Sequence, residues 1–149
     1  MAHKRDTIWA WHHNISECFF HIQLTIKYRR KVLTPQIEET IITICSGFKH
    51  RYHLDIQQIG FDQDHVHFYL QALPKYSSGQ IIRLIKSITS QQIFKQHPKV
   101  QEFLWGGEFW TDGYYIATVS PHGNKDLIIN YIKNQGREKD IGQLRLFST

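Results

Sequence analysis

The period of the apolar residues switches repeatedly along the chain, and the order of the switches leaves few folds open. Residues 18–28, CFFHIQLTIKY, set Phe20, Ile22, Leu24 and Ile26 at period two, the pattern of a half-buried strand. Thr34 and Pro35 then have the form of a helix N-cap followed by proline at the first helical position. Ile37, Ile41, Ile42, Ile44 and Phe48 make the apolar stripe of that helix, which should stop near residue 50. Residues 54–61, LDIQQIGF, and 65–72, HVHFYLQA, read as two strands, and the polar Asp62-Gln63-Asp64 between them makes the pair a hairpin. Past Pro74, Ser77 or Ser78 caps a second helix running to about His97, where Pro98 ends it. Ile81, Ile82, Ile85, Ile88 and Ile93 line its buried side, and Arg83 and Lys86 share another. Residues 99–113 read as irregular, 114–119 (YYIATV) as a fourth strand, and Ser120-Pro121-His122-Gly123 as a loop. Asn124 is placed to cap a last helix, roughly 125–135, which Gly136 ends.

The resulting order, β-α-β-β-α-β plus a terminal helix, predicts an α+β chain: a ferredoxin-like (RRM-like) sandwich with an additional C-terminal helix that carries Tyr131. The 149 residues fit one domain over 1–149, with a charged, mobile tail over about 138–149. A 41% hydrophobic content is enough to bury a core without staples. Cys18 and Cys45 lie in apolar stretches with no C-x-x-C pair, which excludes a zinc ribbon or a disulfide framework and suits a reducing compartment. The polar start, MAHKRDTIWAWHHN, has no apolar targeting core, and no run approaches the ~18 apolar residues of a membrane span. A soluble, cytoplasmic protein with no membrane partner is expected. The formal charge of +5 and pI of about 9.3 favour an anionic partner such as nucleic acid.

Two constellations carry chemistry. His65-Val66-His67 opens the third strand, where residues two apart point to one face at ~6.5–7 Å, so two imidazoles can converge on one metal ion. Val66 then points to the core, and Phe68 and Leu70 continue its face. Ten histidines in 149 residues give about 0.6 such triplets by chance, so the motif alone decides little. On the last helix, Tyr131 and Gln135 lie one above the other at i and i+4. Ile128, Ile129 and Ile132 supply that helix's apolar side, which puts Tyr131 at its edge with its ring packed and its oxygen presented.

Taken together, these residues resemble the single-tyrosine HUH transposases, the TnpA-type enzymes of small insertion sequences of bacteria and archaea. The His-hydrophobic-His motif is matched by His65-Val66-His67 within GFDQDHVHFYL, and the helical tyrosine with a glutamine four later by Tyr131 and Gln135 in YIKNQ. The stretch LWGGEFWTDGYYIATVS is similar to the Trp-rich loop and strand between these motifs, and SSGQIIRLIKSITS to the helix after the histidine strand. The resemblance spans roughly residues 15–137. It implies a homodimer that cuts and rejoins single-stranded DNA at hairpin-bearing ends. It implies Mg²⁺ or Mn²⁺ bound by His65, His67 and Gln135, with Tyr131 as nucleophile. The product would be a 5′-phosphotyrosine linkage and a free 3′-OH. That intermediate keeps the energy of the phosphodiester, so strand transfer needs no nucleotide cofactor.

Other assignments stay open at this level. Arg29, Arg30 and Lys31, and Arg83 with Lys86, are candidate phosphate ligands; each group also fits a solvated charged face. Trp105, Phe109, Trp110 and Tyr114 fit base stacking or core and interface packing. Asp62 and Asp64 lie near the histidines as candidate general bases or as turn formers, and the remaining histidines, His21 among them, read as solvated or structural. The competing function is a non-catalytic RRM-like module that binds single-stranded nucleic acid; it would lack a metal site and could dispense with Tyr131.

Overall fold

Strands and helices follow one another along residues 9–11, 14–104, 107–120 and 124–134, the part of the chain that the computed structural model describes. β1 (Trp9–Trp11) and β2 (Asn14–Ser16) pair as a small antiparallel ribbon that the periodicity of the sequence did not announce. Next come β3 (Cys18–Thr25), α1 (Pro35–Ser46), α2 (Phe48–Tyr52), β4 (Leu54–Phe61) and β5 (His65–Ala72). They are followed by α3 (Ser78–Gln96), α4 (Pro98–Phe103), β6 (Tyr115–Val119) and α5 (Lys125–Lys133). β4, β5, β3 and β6 hydrogen-bond in that order into one antiparallel sheet, which leaves β4 and β6 at its edges. The chain is a mixed α+β protein, as the alternation of periods predicts.

The sheet has two unlike faces. Ile22 and Leu24 of β3, Ile56 and Ile59 of β4 and Val66, Phe68 and Leu70 of β5 join Ile37, Ile41, Ile81, Ile85 and Ile93 of α1 and α3 in the main core. The apolar pattern of β4 slips by one between Ile56 and Ile59, and a bulge between Ile56 and Gln58 absorbs the slip, so both halves of the strand keep their apolar side inward. On the opposite face Phe19, Tyr69, Val119 and Ile132 form a smaller cluster, by which α5 is seated. β5 thus alternates between two environments: Val66, Phe68 and Leu70 to the main core, His65, His67 and Tyr69 to the α5 side.

Several boundaries differ from expectation for identifiable reasons. The first strand ends at Thr25 rather than residue 28, because Ile26 N–H donates to the Asp64 carbonyl and Lys27 N–H to that of Phe109. Tyr28 and Arg29 then turn through the left-handed region, at φ 58° and 53°. The expected first helix is two helices, broken at Gly47. Thr34 caps α1 with its hydroxyl on Ile37 N–H, and Ser77, not Ser78, caps α3 in a reciprocal box with Gln80. Residues beyond Pro98 expected to be irregular include α4, because proline is well suited to the first turn of a new helix. Asn124 precedes α5 without capping it; its side-chain oxygen accepts from Ser120 N–H instead. Gly136 and the charged tail lie outside the described residues.

Phe109 and Trp110 are core residues, not an exposed stacking surface: both are buried, and the indole N–H donates to the buried Thr89 hydroxyl at 2.8 Å. Tyr114 is half exposed, and Trp105 lies outside the described residues. No helix among the described residues is long and apolar enough to cross a membrane.

Candidate active site

β5 places His65 and His67 two residues apart on the α5 side of the sheet, with ring centroids 5.0 Å apart. α5 brings Tyr131 to the same place: its ring lies 5.5 Å from the His67 ring and edge-on to it. Ile132, wholly buried beside Phe19, Tyr69 and Val119, seats the helix, while the neighbouring Tyr131 stays half exposed. The sequence-predicted pair of motifs, 64 positions apart in the chain, therefore meets in space. Gln135, the third predicted metal ligand, lies outside the described residues.

Each histidine is held from behind. The Asp64 carboxylate lies 2.9 Å from His65 Nδ1 and accepts from Arg29 Nε at 2.8 Å through its other oxygen. Those two contacts, His65 first and Arg29 second, hold the Asp64 carboxyl below its usual range. Asp64 is thus an orienting group for His65 and a weak proton acceptor. Asp62 Oδ2 lies 3.4 Å from His65 Nε2, on the other side of the ring.

His67 is nearly fully buried, and its Nδ1 shares a hydrogen bond of 3.1 Å with His21 Nε2. Burial first, then the neighbouring His21 and His65, push the His67 imidazole down to about 4, so it is neutral at ordinary pH, the form that binds metal. Burial lowers His21 as well. His67 Nε2 is buried with no hydrogen-bond partner among the described residues. An unpartnered buried nitrogen is costly, and a divalent cation is one group that would satisfy it. By this test the residues present fit a metal. No group of three or more His, Cys, Asp or Glu side chains among the described residues could hold one unaided.

His21 is the site residue that sequence reasoning passed over. It sits on β3 opposite Tyr69, one diagonal step from His67, and its ring also lies 6.1 Å from that of Tyr131 and 5.5 Å from that of Tyr115. The available signal was a histidine at the polar phase of a strand whose other phase is wholly apolar. Only the β3–β5 register says which side chain it faces.

The candidate phosphate ligands fall in two places. Tyr28, Arg29, Arg30, Lys31 and Phe103 line an open cleft of about 620 Å³, with the Arg30 guanidinium 4.7 Å above the Phe103 ring. Arg83 and Lys86 border a second, smaller cleft with residues 107–112. The Lys86 ammonium donates to the carbonyls of Thr111, Asp112 and Gly113 at 2.7, 3.0 and 3.4 Å. An ammonium has three donors, so Lys86 clamps the approach to β6 and has little left for a phosphate.

Comparisons with known proteins identify the family. The family described as "Transposase IS200 like" matches residues 14–135. The ISDra2 transposase TnpA of Deinococcus radiodurans is 28% identical over 116 residues, covering 78% of this chain and 82% of that protein. The transposase for insertion sequence element IS200 of Salmonella typhimurium is 28% identical over 131 residues, covering 88% and 85%. Two solved structures share the fold. A Deinococcus radiodurans chain provisionally named a transposase superposes with a TM-score of 0.67 at 24% identity, over 86% of this chain and 98% of that one. A REP-associated tyrosine transposase bound to a REP hairpin superposes at 0.55 and 12% identity, over 85% and 70%. With a family match across almost the whole described chain, the protein belongs to the IS200-like, TnpA-type transposases, a family of DNA-processing enzymes.

Proposed function

We propose that this protein cuts and rejoins single-stranded DNA at hairpin-bearing ends, with Tyr131 as the nucleophile. The observation that carries the reading is the meeting of Tyr131 with His67 and His65 on one face of the sheet, at ring distances of 5.5 and 5.0 Å along the row. The tyrosine oxygen attacks the phosphorus, the bond from phosphorus to the 3′ oxygen breaks, and the 3′ oxygen leaves as a hydroxyl once protonated. The DNA 5′ end stays on Tyr131 as a phosphotyrosine, and a 3′-OH can reverse the step onto another strand. His65, His67 and Gln135 would hold Mg²⁺ or Mn²⁺, with water and DNA phosphate completing the oxygen-rich shell. When bound, such an ion polarises the phosphoryl oxygen and offsets the charge that develops on it.

The chain's own residues supply the rest. A phenol with an unperturbed pKa near 10 is mostly protonated at neutral pH, so attack requires a proton acceptor or a nearby cation. Asp64 is tied to His65 and Arg29, which leaves Asp62, beside His65, the better placed of the two turn carboxylates. The cleft of Tyr28, Arg29, Arg30, Lys31 and Phe103 combines cations with two aromatic rings, the chemistry of single-stranded DNA binding. Arg29 joins it to the site through Asp64 and His65. The strand order fits the ferredoxin-like plan, and the open edge of β6 fits a homodimer with joined sheets. Hairpin binding is supported by the hairpin held in the related REP-associated transposase. The cytoplasm is the compartment in which such chemistry would meet its DNA.

Incubation with single-stranded element-end DNA and Mg²⁺, followed by denaturing electrophoresis, tests the reading. A covalent adduct on Tyr131 supports it. Hairpin binding with neither cleavage nor adduct would replace it with the non-catalytic binding module.

A further inference from the structure

We propose that His21 is a positioning residue for His67: it fixes the His67 ring with its proton on Nδ1, so that the Nε2 lone pair faces the cation site. The inference rests on the reading of His67 as a metal ligand and adds the group that makes it one.

Two neutral imidazoles whose nitrogens stand 3.1 Å apart share one proton between them. If His21 Nε2 carried it, His67 would accept at Nδ1 and hold its own proton at Nε2. That N–H would then be buried with no acceptor among the described residues, and it would cap the nitrogen that a metal needs. If His67 Nδ1 carries it, His21 Nε2 accepts, and His67 Nε2 is a bare lone pair. Which ring nitrogen of a histidine is protonated is set by the bond its other nitrogen makes. His65 is served in the same way by a different group, the Asp64 carboxylate at its Nδ1. The two candidate ligands thus have unlike supports, one anionic and only partly exposed, the other neutral and buried.

The packing of the rings limits what can take the place of His21. It is 6% exposed, lies nearly parallel to His67 at 5.3 Å, and meets Tyr131 and Tyr115 edge-on. A purely structural role would be met by any flat ring of similar size. His21→Phe keeps that packing and removes the acceptor. His21→Gln gives up the ring but sets an amide oxygen near the place of Nε2.

Long-range ¹H–¹⁵N correlation spectra of the metal-free full chain, at about pH 8 where unperturbed imidazoles are neutral, read the His67 tautomer directly. The proposal expects an Nδ1–H imidazole for His67 in the wild type and its loss in His21→Phe. Mn²⁺ affinity, titrated calorimetrically on the same proteins, is expected to fall by roughly 10–100-fold in His21→Phe and to recover in part in His21→Gln. An Nε2–H tautomer in the wild type overturns the proposal, and so does a Phe variant that binds Mn²⁺ as tightly as the wild type. A wild type that binds no Mn²⁺ overturns the metal reading itself; the tautomer spectra, taken without metal, still decide what His21 does to His67.

Discussion

Gly60 and Ile132 touch backbone to backbone: a methyl group added at Gly60 would stand 2.9 Å from Ile132 Cγ2 and closer still to the Ile132 carbonyl oxygen. Gly60 is the β4 partner of His67 in the ladder, and Ile132 follows Tyr131 on α5. The missing side chain is therefore what lets the tyrosine helix lie directly over the histidine row. Gly60→Ala should lift α5, at an overpacking cost of roughly 1–3 kcal/mol. A displacement of Tyr131 of about 1 Å should slow cleavage on the order of 100-fold. Hydrogen exchange of residues 125–133 should quicken while the main core stays protected. Unchanged exchange together with an unchanged rate would show that α5 does not work from this seat.

His65→Ala and His67→Ala should each abolish metal-dependent cleavage, since the lost Lewis acid is worth several kcal/mol of transition-state stabilisation. Folding should survive His65→Ala better, because His65 is partly exposed whereas His67 is 1% exposed and bonded to His21. Thermal melting and cleavage with Mg²⁺, Mn²⁺ or a chelator separate the two effects. Full activity of His65→Ala, or indifference of the reaction to chelation, would sink the site assignment.

Much of this was legible in the sequence, and what was not shares a cause. Period two and period 3.6 marked β3, β4, β5 and α3, because a buried face repeats along an element and needs no partner to be recognised. The phases of His65 and Val66 were readable for the same reason. His21 was not, since its partner is 46 positions away and is chosen by strand register. The fate of Lys86 was equally hidden: a lysine on a helix face reads as a phosphate ligand until a loop 25 positions on brings three carbonyls to it. Phe109 and Trp110 show the same limit, for an aromatic residue in an irregular stretch carries no period by which to judge its burial. α4 and the β1–β2 ribbon are too short for periodicity to register.

Binding should favour a hairpin with a single-stranded flank over a blunt duplex and weaken steeply with salt, because neutralised phosphates release counterions. Arg30→Ala is the variant to examine, since Arg30 lies in the aromatic cleft over Phe103 while Arg29 is already paired with Asp64. Its salt slope should drop by about one if the guanidinium contacts one phosphate. Equal affinity for a random blunt duplex, measured by fluorescence anisotropy, would point instead to nonspecific basic binding.

Among the described residues β6 is an edge strand with no partner on its outer side, and it carries Tyr115, Ile116, Thr118 and Val119, all residues that favour strands, with Tyr115 half exposed. Pairing of that edge with its copy in a second chain is expected to give a homodimer. Light scattering at micromolar concentration should return the mass of two chains. A wild type with the mass of one chain would remove the dimer from the reading.

Tyr131→Phe should abolish cleavage and the covalent adduct while leaving fold and hairpin affinity nearly intact. The substitution removes one oxygen and keeps the ring, so the edge-on contacts with His67 and His21 persist. The seat of α5 depends on Ile132 and its neighbours, not on the phenol oxygen, which belongs to a half-exposed side chain. Metal binding through the histidines needs no phenol in the free enzyme, so Mn²⁺ affinity should be kept. Nothing else on that stretch of helix can replace the nucleophile, because the Asn134 amide forms no comparable phosphoester. If the variant still cut DNA and trapped a 5′-linked adduct, Tyr115, 5.5 Å from His21 across the sheet, would be the next candidate, with the exposed Tyr114 after it. If it failed to fold, Tyr131 would be a packing residue, and its place beside the histidines would lose its catalytic meaning.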